Sequence, residues 1–196
     1  MKLLFVDCCI SQRGTDSRTA ALCRVFLDTW RERYPDAVTE TVPLAELELK
    51  PFDRTMLDRR DALFRAGRFE EPLHALARQF RDADRIVVGA PFWDLSFPAA
   101  LRIYIEHICA NGVTYHYGAE GPRGDCRADR LAYLTSGGDF ERADSLGVLY
   151  WRQLCGMFGI PRFDAVFAGG LDAAPEQAGA LLETACHRAA ELATEF

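Results

Sequence analysis

Five strand-like segments that alternate with segments of helical period constrain this chain more than any other feature. They are Lys2–Cys9, a short apolar run rich in β-forming residues, Val38–Leu44, which alternates, and then Ile86–Pro91, Leu131–Thr135 and Phe163–Ala168. The clearest helical stripe is Leu22, Val25, Phe26 and Trp30, preceded by Ser17 as a potential cap and ended by Pro35-Asp36. Similar periods cover Glu70–Ala83, Pro98–Ala110, Ser145–Phe158 (Leu146, Leu149, Tyr150, Leu154 and Met157 inward) and Pro175–Thr194. Strands that alternate with helices predict an α/β fold with a parallel sheet covered on both faces. No repeat, low-complexity tract or linker interrupts the 196 residues, so one domain over 1–196 is expected. Residues 45–68 are less regular, and Arg54–Ala66 reads as a short helix or a mobile excursion. Gly112–Tyr117 reads as extended and Gly118–Asp125 as a flexible flap.

Composition narrows the partners. The net charge of −6 argues against nucleic acid, whose phosphates need a basic surface. No apolar run approaches membrane-spanning length, and Asp7 comes too early for a signal peptide, so a cytoplasmic protein with no membrane partner is expected. Seven cysteines include no Cys-x-x-Cys pair and no histidine at zinc-finger spacing, which predicts reduced thiols and no metal site.

In an open parallel sheet, ligands bind beyond the carboxyl ends of the strands. Three turns should open there. The first, Ser11–Thr19, offers a glycine, hydroxyls from Thr15, Ser17 and Thr19, and cations from Arg13 and Arg18, and leads into a helix N-terminus that attracts phosphate. It reads equally as a plain Ser17 cap. The second, Pro91-Phe-Trp-Asp-Leu95, is either a flat apolar wall or a core aromatic pair. The third, Thr135-Ser-Gly-Gly138, is either a tight turn or a backbone floor open to close approach. No Gly-x-Gly-x-x-Gly or Gly-Lys-Ser/Thr is present, so neither the dinucleotide fingerprint nor a P-loop applies. The joint order of phosphate-type loop, aromatic wall and glycine floor suits a flavin mononucleotide.

With these turns placed, the chain resembles the flavodoxin-like NAD(P)H-dependent oxidoreductases, the group of FMN-dependent NADH-azoreductases and NAD(P)H quinone reductases. The resemblance covers nearly the whole chain. It is most specific in Ala90-Pro-Phe-Trp-Asp-Leu95, Asn111-Gly-Val-Thr-Tyr-His-Tyr117 and Gly121-Pro-Arg-Gly124. Azoreductases carry a similar Ala-Pro-Met-Tyr-Asn-Phe turn, then Ala-Gly-Val-Thr-Phe-x-Tyr and a Gly-Pro-x-Gly flap. The resemblance implies a flavodoxin-like five-stranded parallel sheet of order 2-1-3-4-5. It implies that Phe92, Trp93, Asp94 and Leu95 line the isoalloxazine ring and that Thr15, Asp16 and Ser17 meet the FMN phosphate, with Cys9 beside them. Thr135, Ser136, Gly137 and Gly138 fall on the flavin's other side, and Tyr117 near the substrate pocket. Cys8-Cys9 stands where the family has two small hydroxyl residues, Asp94 where it has an Asn, and Ser136 where it has an Arg.

The expected activity is electron transfer from NADH or NADPH through FMN to a small-molecule acceptor, a quinone or azo compound, in two steps. No protein nucleophile is required, since the cofactor carries the chemistry. His107 reads as a partly exposed helix residue and His116 as a neighbour of the flap. The resemblance also implies a homodimer with a shared pocket; Trp151, Phe158 and residues 51–68 are either its interface or, for the aromatics, intrachain core. A flavin-binding electron carrier or sensor is the alternative function. A receiver domain would need clustered acids at the strand ends and a lysine after the fifth strand, where Gly169-Gly-Leu-Asp172 stands instead.

Overall fold

The computed structural model describes residues 1–11, 13–140 and 145–196, with only the backbone of Thr15. The alternation becomes β1 (Lys2–Asp7), α1 (Arg18–Arg33), β2 (Val38–Pro43), α2 (Arg54–Arg65), α3 (Ala75–Arg81), β3 (Arg85–Gly89) and α4 (Ala99–Ile108). A hairpin follows, β4 (Tyr115–Gly118) and β5 (Gly121–Gly124), then β6 (Arg130–Ser136), α5 (Leu146–Phe158), β7 (Arg162–Ala168) and α6 (Ala178–Glu195). The main sheet has the order β2-β1-β3-β6-β7 and its pairings are parallel. Counting only its own strands, this is the expected 2-1-3-4-5. From β1 the chain moves outward to β2, then crosses back to β3 on β1's other side. Connections therefore diverge between β1 and β3, and a crevice opens at their carboxyl ends.

Both faces of the sheet are buried, because successive strand residues point to opposite sides. Leu4, Val6, Ile86, Val88, Leu131 and Tyr133 pack under α3, α4 and α5, where Phe80, Tyr104, Trp151 and Phe158 fill the layer. Leu3, Phe5, Val87, Ala132, Leu134 and Val166 pack under α1 and α6. On that side Ala185, Ala189 and Ala193 form a stripe of small residues, and Phe196 meets Phe26 and Trp30 edge-on at 5.2 and 5.9 Å.

Several expectations change. The stretch 70–83 splits into a 3-10 turn, Pro72–His74, and the short α3, because Pro72 fixes the first turn. The flap is an antiparallel hairpin seated on the end of α5: Cys126 N–H donates to the Phe158 carbonyl at 3.3 Å. The phase of α5 is rotated from the predicted one. Leu146 and Leu149 face solvent, whereas Trp151, Leu154, Cys155 and Phe158 are buried. Trp151 and Phe158 are thereby core, not interface. His107 is buried; its Nε2–H donates to the Lys50 carbonyl at 3.0 Å and its ring lies 4.6 Å from Phe52. It pins residues 50–52 to α4. No helix among the described residues is long and apolar enough to cross a membrane.

Candidate functional site

Two adjoining cavities occupy the crevice. One, of about 230 Å³, is lined by Ser11, Arg13, Ser17, Arg18 and Thr19 on one side, by Pro91, Phe92 and Trp93 on another, and by Ser136, Gly137, Gly138 and Asp172 below. The other, of about 220 Å³, is lined by Leu95, Asp139, Phe140, Ser145, Leu146 and Phe167, and shares Phe92 with the first. Together they fall in the volume range of roughly 300–1,000 Å³ usual for ligand sites.

Each wall follows from local sequence. After β1 a 3-10 turn, Gly14–Asp16, delivers the chain to Ser17, whose Oγ caps α1 by accepting the Ala20 N–H at 3.3 Å. The Ser17 O–H remains available to donate into the cavity. Thr19 Oγ1 and Ser136 Oγ share a buried hydrogen bond of 2.6 Å, tying α1 to the end of β6. Arg13 and Arg18 place two cations at this end, and Arg18 Nη1 pairs with Asp172 at 2.7 Å.

The aromatic wall is a tight turn. Ser96 N–H donates to the Trp93 carbonyl at 2.8 Å, and Asp94 and Leu95 between them take φ of 50° and 66°. Positive φ in two successive non-glycine residues is strained, and such strain concentrates at functional sites. The turn is anchored from behind: Phe92 N–H donates to the Ser136 carbonyl at 2.8 Å, and the Phe92 and Phe167 rings meet edge-on at 5.4 Å. Trp93 and Leu95 are left exposed at 42% and 69%. The floor needs glycine: a Cβ on Gly137 would sit 3.0 Å from Phe167 and 3.1 Å from Phe92, and one on Gly138 would strike the Asp172 carboxylate.

Of the expected residues, the first cavity gathers Ser17, Phe92, Trp93, Ser136, Gly137 and Gly138, and the second takes Leu95. Asp16 and Asp94 are exposed and line neither. Cys9 is half-buried behind the loop, its N–H donating to Asp7 at 2.9 Å, and Thr135 is fully buried beneath the floor. The Thr15 side chain lies outside the described residues. Tyr117 stands exposed on the hairpin, its ring 5.9 Å from Tyr115, apart from both cavities. Asp172 was not among the expected residues. The signal that could have found it is the loop after β7, a fourth turn on the same edge. The thiols are free, and burial pushes Cys8 up to about 12. Among the described residues, no group of three or more His, Cys, Asp or Glu is placed to hold a metal ion.

A family profile described as flavodoxin-like fold matches residues 1–192. The chain belongs to this flavodoxin-like family. Similar proteins include FMN-dependent NADH:quinone oxidoreductase 2 of Clostridium acetobutylicum, 30% identical over 200 residues, covering 100% of this flavodoxin-like chain and 99% of the relative. FMN-dependent NADH:quinone oxidoreductase of Staphylococcus aureus is 26% identical over 196 residues and 92% of each chain. Among solved structures, an azoreductase from Bacillus anthracis superposes with a TM-score of 0.88 at 25% identity over 100% of both chains. An FMN-dependent NADH-azoreductase from Bacillus anthracis, solved in complex with FMN, shares the flavodoxin-like fold with a TM-score of 0.86 at 19% identity, over 100% of this chain and 99% of that one.

The residues present fit FMN. Hydroxyls and two arginines at the α1 end suit a phosphate, a flat aromatic wall suits a ring system, and the Gly137 floor is a cradle that a Cβ would fill.

Proposed function

We propose that residues 1–196 form one FMN-binding oxidoreductase domain that passes electrons from NADH to a quinone or azo acceptor. The observation that carries this reading is the single cleft joining the Ser17–Arg18 helix start, the Phe92-Trp93 wall and the Gly137-Gly138 floor. The names and full-length coverage of the relatives support it. Bound there, FMN would supply two-electron chemistry in two half-reactions, with NADH and acceptor using the same face in turn.

The chain's part is binding and orientation. Ser17, Thr19, Arg13 and Arg18 would hold the phosphate by hydroxyl donors and positive charge, helped by the free N–H groups of the first turn of α1. Ser11 adds a further donor. Trp93 and Phe92 would wall one side of the ring, and the Gly137 and Gly138 backbone would approach the other. Asp16, Cys9, Asp94 and Thr135 are more distant in this arrangement. The exposed Asp94–Leu95 tip would face an entering substrate. We further infer a cytoplasmic homodimer: exposed Leu95, Leu146 and Leu149 make an apolar rim beside the cleft, and Tyr117 would reach a pocket only across such an interface.

The test is direct. Purified protein should bind FMN, bleach the flavin absorbance on NADH addition, and recover it when a quinone follows. Flavin that binds but is not reduced by NADH or NADPH would favour a carrier or sensor. Failure to bind flavin would end the proposal.

A further inference from the structure

We propose that Asp172 sets the affinity of the phosphate subsite: its carboxylate occupies Arg18 and competes there with a ligand's phosphate. The inference rests on the flavin reading above. Arg18 is the first residue of α1, directly after the Ser17 cap, and lines the cavity with its hydroxyls. Its Nη1 lies 2.7 Å from Asp172 Oδ1, so this guanidinium already holds an anion. Asp172 belongs to the loop after β7, far from α1 in sequence, so this contact crosses the mouth of the cleft.

Two features make the pair a clasp and not a passing surface contact. The backbone of the β7 loop is fastened to the floor, because the Asp172 and Ala173 N–H groups both donate to the Gly138 carbonyl, at 3.1 and 2.9 Å. Only the Asp172 side chain is free to swing. That side chain is pressed against the bare Cα of Gly138, and a Cβ there would displace it. Glycine at 138 thus keeps room for the acid as well as for a ligand. Both partners stay partly solvated, at 42% and 71% side-chain exposure, so exchange of one anion for another does not bury an unpaired charge. A phosphate carries more charge than the carboxylate, so it displaces Asp172 at Arg18. Displacing the carboxylate offsets part of what the phosphate gains at Arg18. The result is a phosphate held more loosely than Ser17, Thr19 and two arginines would hold it alone.

The experiment compares FMN with riboflavin, which lacks the phosphate, by fluorescence titration of the full-length chain stripped of flavin. Asp172→Asn should tighten FMN about five-fold and leave riboflavin unchanged. Arg18→Gln should weaken FMN, and in that background Asp172→Asn should give no gain, since the two residues act as one pair. Looser FMN binding in Asp172→Asn, an equal change for both flavins, or a gain that persists without Arg18 would each overturn the proposal. Should the wild-type chain bind neither flavin, the flavin reading fails separately. The clasp is then tested with inorganic pyrophosphate: its thermal stabilisation must be larger in Asp172→Asn than in wild type, and an equal shift would refute the clasp.

Discussion

Gly124 should be one of the least replaceable residues outside the cleft. It seats the β4–β5 hairpin on the C-terminus of α5, where Gly159 ends the helix at φ 76°. A Cβ built on Gly124 would overlap the main-chain carbonyl of Phe158 and the nitrogen of Gly159, well inside the 3.0 Å that real Cβ atoms respect. Backbone cannot rotate away as a side chain can, so Gly124→Ala must lift the hairpin from the helix. Overpacking of this kind costs roughly 1–3 kcal/mol. The Cys126-to-Phe158 hydrogen bond is lost with it, adding about 1 kcal/mol. The sum is about 2–4 kcal/mol, which at a urea dependence of about 2–3 kcal/mol per molar lowers the unfolding midpoint by roughly 1 M. Gly156→Ala is the control: it lies on α5 itself, exposed, with nothing within 4 Å of its Cβ, and should stabilise by about 0.5–1 kcal/mol. Because the hairpin carries Tyr117, Gly124→Ala should also reduce quinone turnover more than FMN affinity. A Gly124→Ala midpoint within about 0.3 M of wild type would refute the argument.

Trp93→Ala should leave stability within about 0.5 kcal/mol, as the ring is 42% exposed, while flavin affinity falls about ten-fold from lost ring contact; unchanged affinity by fluorescence titration would remove Trp93 from the site. Leu95→Gly should stabilise by up to about 1 kcal/mol, because glycine relieves a φ of 66° and the leucine buries little; a lower thermal midpoint would contradict the strain. Burial pushes Cys8, Cys109, Cys126 and Cys155 up to about 12, against about 9 when unfolded. The unfolded chain therefore loses these protons first, and stability should be full below pH 9 and fall as pH rises toward 12, by up to about 1.4 kcal/mol per pH unit for each thiol. A urea midpoint flat from pH 8 to pH 10.5 would disprove this.

What was legible in the sequence depended on how one-sided each signal was. The central strands β1, β3 and β6 were plain, because a strand buried on both faces is an unbroken apolar run, whereas the edge strand β2 is mixed in composition and was legible from its alternation. Three walls of the cleft were legible because hydroxyls, aromatics and glycines mark turns by composition. The face of α5 was not: Leu146, Leu149, Trp151, Leu154 and Phe158 make it apolar nearly all round, so period alone cannot choose which side meets the sheet. The left-handed turn at Asp94-Leu95 carries no glycine or asparagine to announce it. His107 hides its role for another reason, since its partner is a backbone carbonyl 57 residues upstream. Asp172 looked like an ordinary loop acid until folding set it against Arg18.

The packing of α6 on α1 has a consequence for synthesis. Phe26 and Trp30 are completed by Phe196, and Leu22 and Phe26 belong to the same buried layer as Ala185, Ala189 and Ala193. About 145 residues separate the end of α1 from the start of α6, counting from Arg33 to Ala178. At roughly 5–20 residues per second of translation, the aromatic face of α1 waits about 7–30 s for its cover. A newly made chain therefore spends that interval with the α6-facing side of α1 uncovered. Slowed elongation would lengthen the hazard, and chaperone capture should be greatest on nascent chains stalled between these two helices.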